Sequence, residues 1–239
     1  MAPTFRPICP ALLAGAVRGT EVRDITDDPA RMAESRELLL QAYRPLMNGS
    51  ASAFPSRLAE VVCDDEYARC GRTRTIATLT ENREGGLTEV SCTIRVLLGE
   101  DNSSVHFPAL EAMRFVVAQP DWPHRLAGVP DGMTAEFGRF VIHRRYRTTP
   151  MKAAGVHAFL TRRLYDCCLD TMSKRGTSAL YAVMPTYMAG LCVRAGLEIS
   201  ELPFRLRTED HEAAKVFQEF STYWVANRPK LYRFEPLYV

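Results

Sequence analysis

Apolar residues at Val156, Leu160, Leu164, Cys168 and Met172 recur every four positions, one stripe of a helix predicted over residues 150–176. Gly176 suits the end of that helix. An earlier helix is predicted from DDPARMAESRELLLQAYRPL, with Asp28 as N-cap, Pro29 at the first helical position, and Met32, Leu39 and Tyr43 close to one face. The runs TRTIATLTE (73–81) and LTEVSCTIRVLL (87–98) read as two strands joined by a hairpin through Asn82–Gly86. TEVRDIT (20–26), MTAEFGRFVIH (133–143) and the almost wholly apolar SALYAVMP (178–185) are further strands. TYMAGLCVRAG is a helix ending on Gly196; LEISELPFRL, a short helix over 210–220, STYWVAN and KLYRF follow. Residues 56–69 read as a short helix or irregular segment. Residues 99–131 are polar and broken by Pro108, Pro120, Pro123 and Pro130, a kind of insertion that is often functional.

This alternation predicts an α/β (α+β) fold, an open mixed sheet with crossover helices. The 239 residues fit one domain over 20–239, preceded by an N-terminal extension over 1–19. That extension lacks a cationic start, and no run reaches the ~18 apolar residues of a membrane span, so a cytoplasmic protein with no transmembrane segment is expected.

Composition adds little. Hydrophobic residues make up 46% and charged residues 24%, and the net charge is +2. The seven cysteines (9, 63, 70, 92, 167, 168, 192) have neither the regularity of a disulfide framework nor zinc spacing, and the histidines (106, 124, 143, 157, 211) are scattered. No metal is expected. Dinucleotide and P-loop glycine signatures are missing, as are G-x-S-x-G and H-E-x-x-H. If the chain is an enzyme, direct transfer fits better than a covalent intermediate.

Local charge is more informative. From Arg139 to Tyr165 there are seven basic residues (Arg139, Arg144, Arg145, Arg147, Lys152, Arg162, Arg163) and no acid. Cations at a helix N-terminus oppose its dipole, so an anionic ligand or acidic partner explains the cluster better than a solvated face. Nucleic acid is not expected, since aromatics are few and overall charge is near neutral. Glu136 sits within an apolar strand. It is either an exposed edge residue or a functional carboxylate whose partial burial raises its pKa toward that of a general base. Glu136 and Arg139 lie three apart, on opposite faces of a regular strand and closer only if a bulge intervenes.

The order of strand with Glu136, RRYR, long helix, apolar strand and helix ending CVRAGL resembles the core of the GCN5-related N-acyltransferases. In that family the strands sit in a mixed, splayed sheet with helices on both faces. The donor's pantetheine arm enters a V-shaped gap between two parallel strands, here TAEFGRFVI and SALYAVM. The acetyl-CoA members' loop, Q/R-x-x-G-x-G/A, is replaced by Arg144-Arg145-Tyr146-Arg147-Thr148-Thr149 without glycine. Arg95, FPALEA (107–112) and AEFGRFVI are spaced as in the autoinducer (acyl-homoserine lactone) synthases and the long-chain N-acyl amino acid synthases. The resemblance spans about residues 20–200. It implies an acyl carrier protein partner and an acyl-phosphopantetheine thioester substrate, with a small-molecule amine acceptor and no bound cofactor.

On the same resemblance Glu136 helps deprotonate the amine, Arg139 holds the neighbouring loop, and Arg95 positions the acceptor or braces the N-terminal helices. Asp64 and Asp65, with Arg36, are acceptor-binding candidates. Arg144, Arg145, Arg147 and Lys152 would meet the carrier. Met113, Phe115, Leu180, Val183 and Met184 are acyl-pocket candidates, each equally an ordinary core residue. The autoinducer synthases' tryptophan after the first helix is missing, which leans the reading toward an N-acyl amino acid synthase. The alternatives are an acyl-homoserine lactone synthase using S-adenosylmethionine, an acetyl-CoA N-acetyltransferase, and a non-catalytic lipid- or protein-binding domain.

Overall fold

The first helix, α1 (Pro29–Met47), begins where its cap predicts. The Arg31 N–H donates to Asp28 Oδ1 at 3.1 Å, satisfying one of the donors a helix start leaves open. The computed structural model describes residues 19–47, 71–81, 88–98, 134–148, 155–177, 179–202 and 230–234. Asp64, Asp65, Met113, Phe115 and Lys152 lie outside these residues, as do the expected helices over 56–69 and 210–220 and the 99–131 insertion.

Seven strands form one sheet: β1 (Glu21–Asp24), β2 (Thr73–Glu81), β3 (Thr88–Leu98), β4 (Thr134–Ile142), β5 (Ala179–Met184), β6 (Ile199–Leu202) and β7 (Lys230–Phe234). Their spatial order is β1-β2-β3-β4-β5-β7-β6, and only β4 and β5 run parallel. The parallel pair needs a crossover, supplied by α2 (Val156–Ser173). A third helix, α3 (Thr186–Arg194), links β5 to β6, and β7 then inserts between them.

The four-residue stripe packs as expected. Val156, Leu160, Leu164, Cys168 and Met172 are all fully buried, against Ile76, Ile94, Val96, Phe137 and their neighbours. Gly176, at φ 72°, ends the helix, and the Thr177 N–H returns to the Met172 carbonyl at 3.0 Å. On the opposite face a smaller core joins Leu38 and Leu39 of α1 to Ala77, Leu79, Val90 and Val141. Within it the Ser35 and Thr93 hydroxyls share a buried hydrogen bond of 3.0 Å. The sheet is thus covered by α1 on one face and by α2 and α3 on the other.

Two bulges adjust the faces. In β3, Ser91 is the extra residue between the Thr78–Cys92 and Leu79–Val90 rungs, and its hydroxyl donates to the Thr78 carbonyl at 2.8 Å. In β4, the four residues Gly138–Val141 face the three residues Thr93–Arg95. Arg139 marks that bulge with φ 53°, the left-handed region that costs an L-residue ~1–2 kcal/mol. Ala135 and Phe137 therefore pack with Phe140 and Ile142 against α2, a switch from odd to even positions that a regular strand cannot make.

Arg139→Gly and Arg139→Val lose the same side-chain contacts but differ in tolerance of that φ. Urea denaturation is expected to find the valine variant less stable than the glycine variant by about 1–2 kcal/mol. Equal stabilities would remove the backbone argument.

Candidate active site

β4 and β5 pair over four rungs, from Thr134–Ala179 to Phe137–Ala182, and then part. β5 continues along β7 through Val183 and Met184, while β4 turns into its bulge two residues beyond the last rung. The strands diverge toward their C-terminal ends. The bulge supplies the mechanism, because the extra residue bends β4 away from a straight neighbour.

Glu136 sits immediately before this fork, on the α1 face, and is only 1% exposed. It is not a solvated edge residue, since β4 is flanked by β3 and β5. Arg95 is 8% exposed and lies directly across from Gly138. A Cβ on Gly138 would have Arg95 Nη2 at 3.5 Å, Glu136 Oε1 at 3.7 Å and Arg95 Nε at 3.9 Å. Guanidinium and carboxylate therefore converge over a position that carries no side chain. Two of the three catalytic candidates are brought together on one face, and the third, Arg139, is the bulge residue that shapes the fork. Arg36, by contrast, is an exposed residue of α1.

The basic turn after β4 divides. Arg144–Arg147 form a short 3-10 helix with Tyr146 buried. Arg145 is committed internally: its Nη1 pairs with Glu89 at 2.8 Å and its guanidinium lies 4.9 Å over the Tyr146 ring. The Tyr146 hydroxyl also donates to Glu89 at 3.2 Å. Arg144 and Arg147 are exposed and have no ion-pair partner among the described residues. Arg162 is structural too, bonded to Asp166 at 2.8 Å and to the Gly196 carbonyl at 2.9 Å, which ties α2 to the end of α3. Gly155, at φ 75°, precedes α2 without a side-chain cap.

The acyl-pocket candidates do not share one wall. Leu180 and Met184 are buried with α2 and α3, whereas alternation puts Val183 on the opposite face, beside Tyr181. The buried cysteines carry no ready nucleophile. Burial holds the Cys92 and Cys168 thiols well above their usual range and pushes Cys192 up to about 11.

Sequence reasoning passed over His143, which follows β4. Its backbone N–H donates to the Ser91 carbonyl at 2.8 Å, and its Nδ1 accepts from the Arg145 N–H at 3.3 Å. With Nδ1 accepting, the neutral ring carries its proton on Nε2. The ring helps line a groove of about 450 Å³ with Glu34, Glu37, Leu38, Gln41 and Glu89. Glu34 is already bound to Arg31 at 2.7 Å and to the Val90 N–H at 3.2 Å, and Glu136 is not among the lining residues.

Burial lowers the His143 pKa; Glu89 opposes this, and Arg145, Arg144 and Arg147 add to it. The fold then favours neutral histidine, so this stability is complete above the unfolded value of about 6.5 and is lost as pH falls through the lower folded value. Melting temperatures between about pH 7 and pH 5 are expected to fall less in His143→Gln than in the unaltered protein. Parallel curves would mean that His143 does not titrate differently on folding.

The sheet order, the single parallel pair that forks beside a bulge, and the crossover helix behind an arginine-rich turn constitute the GCN5-related N-acyltransferase fold. No protein-family model and no curated protein matches the chain. Among solved structures, that of the AHL synthase LasI is similar over 90% of this chain and 88% of its own, with 12% identity and a TM-score of 0.50. FeeM, an N-acyl amino acid synthase from uncultured soil microbes, gives 0.46 at 12% identity, over 91% of each chain. An acetyltransferase from Streptococcus agalactiae also gives 0.46 at 12% identity, over 92% of this chain and 99% of its own. At such identities the likeness to LasI is one of fold.

Proposed function

We propose that this protein is an N-acyltransferase that moves an acyl chain from a phosphopantetheine thioester, carried by acyl carrier protein, to the amine of an amino acid or related small molecule. The observation that carries the reading is the buried carboxylate of Glu136 at the fork of β4 and β5. An apolar site keeps a carboxylate at a cost, and abstraction of a proton from an incoming ammonium gives that cost a use.

In the reaction the amine nitrogen bonds to the thioester carbonyl carbon and the C–S bond breaks. The amine's proton passes to Glu136, directly or through one water, and the pantetheine sulfur leaves as a thiol after taking up a proton. Backbone N–H groups of β4 beyond the last rung are the natural donors to the oxyanion. Arg95 orients the Glu136 side of the site. Arg144 and Arg147 supply positive charge for the acidic carrier, and the reaction belongs in the cytoplasm, where acylated carriers are made. No cofactor enters the scheme.

A second reading, an acyl-homoserine lactone synthase with S-adenosylmethionine as acceptor, is favoured by the likeness to LasI. Mass spectrometry of organic extracts from bacteria producing the protein separates the two. Acyl amino acids support the first reading and acyl lactones the second. Extracts identical to those of cells producing Glu136→Gln would count against both.

A further inference from the structure

One row of residues crosses the sheet at the level of Glu136. The registers place Thr73, Leu97, Glu136, Tyr181, Arg233 and Ser200 side by side on β2, β3, β4, β5, β7 and β6, and cross-strand partners share a face. Tyr181 is 2% exposed and separates Glu136 from Arg233 by a single strand. At the usual strand spacing, the Cα atoms of Glu136 and Arg233 are about 10 Å apart. Side chains reaching inward from both ends would narrow that span to the size of a small zwitterion.

The Arg233 Nε is buried and has no hydrogen-bond partner, a feature it shares with the Arg74 Nε on the other face and one that proteins seldom leave unanswered. The Thr73 hydroxyl, in the same row, is likewise buried without one. Charge on this face is also unequal. Among the described residues of β3, β4, β5, β7 and β6 on this face, the bulge residue Arg139 aside, the guanidiniums of Arg95 and Arg233 stand against the single carboxylate of Glu136. Arg95 and Glu136 converge over Gly138, which leaves Arg233 as the cation two strands away from the acid.

The geometry points to a carboxylate-binding site at Arg233, so that the acceptor is an α-amino acid zwitterion lying across Tyr181 with its amine toward Glu136 and its carboxylate on Arg233. This assignment rests on the reading of Glu136 as the acceptor side of an acyltransferase. Arg233 here is a specificity residue. A guanidinium answers a carboxylate with two parallel donors, which a neutral amine or ester cannot use equally.

Two measurements on the full chain test it. The first is the thermal shift given by the standard amino acids and S-adenosylmethionine, each against its decarboxylated counterpart. The second is acyl transfer from acyl-pantetheine to the same compounds. Stabilisation by at least one zwitterion and not by its decarboxylated partner is expected. Arg233→Met is expected to raise the KM for that amino acid about 10- to 100-fold, with kcat changed far less and Arg233→Lys recovering part of the loss. Transfer to amines with no preference for the carboxylate, or a preference that Arg233→Met leaves intact, would overturn the site while acyl transfer stands. Selective stabilisation without transfer from any thioester would retain the site and overturn the acyltransferase reading. The comparison of zwitterion with amine needs only the unaltered protein, so a variant that fails to fold does not remove the test.

Discussion

Glu136→Gln is expected to lower kcat for acyl transfer by about 100- to 10,000-fold, the range associated with loss of a general base. The substitution keeps the volume of a side chain that is 1% exposed, so the space over Gly138 is preserved while the proton acceptor is removed. The KM for the thioester is expected to change little, because the donor arm belongs in the fork beyond Phe137 rather than on the carboxylate. Steady-state kinetics with acyl-pantetheine, alongside urea denaturation to check folding, measure both. A kcat within a few-fold of the unaltered protein would remove Glu136 as the base.

The second large effect is electrostatic. Reversing Arg144 and Arg147 to glutamate is expected to raise the KM for acyl carrier protein by about 10-fold or more while leaving acyl-pantetheine within a few-fold. Acyl-pantetheine is the right comparison because it lacks both the carrier's acidic face and coenzyme A's diphosphate. Arg145 is left out of this variant. It holds Glu89 at 2.8 Å and covers Tyr146, so reversing it would damage the turn itself and confuse docking with folding. The loss should shrink as salt is raised, since exposed charges are screened. Equal losses on both donors would eliminate docking at this turn.

How much of this was legible in the sequence depended on the range over which each feature is set. The α2 stripe was, because burial against a sheet imposes a 3.6-residue period on a single segment, and five residues obeyed it. The α1 cap was too, since Asp28 and the Arg31 N–H are neighbours in the chain. Glu136 stood out as a lone carboxylate among apolar positions. The bulge at Arg139 was raised only as a condition, because the one-residue excess exists in the pairing with β3 and not in β4 alone. Val183 was grouped with Leu180 and Met184 although alternation within β5, which the sequence itself carries, separates them.

Long-range pairing hid the rest. Nothing local in KLYRF says that β7 enters between β5 and β6, so Arg233 could not be set beside Tyr181 and Glu136. Glu89 and Arg145 are 56 positions apart, and their ion pair removes one of the arginines that the sequence offers to a carrier. Partly buried His143 looked like any scattered histidine until its strand was placed beside β3.

The most direct measurement takes purified protein, an acylated carrier protein and a mixture of amino acids, and follows thiol release and amide product together by mass spectrometry. The account predicts acyl amide in one-to-one step with free thiol, both formed at least about 100-fold more slowly by Glu136→Gln. Thiol release without amide, or no release from carrier and pantetheine donors alike, would contradict it.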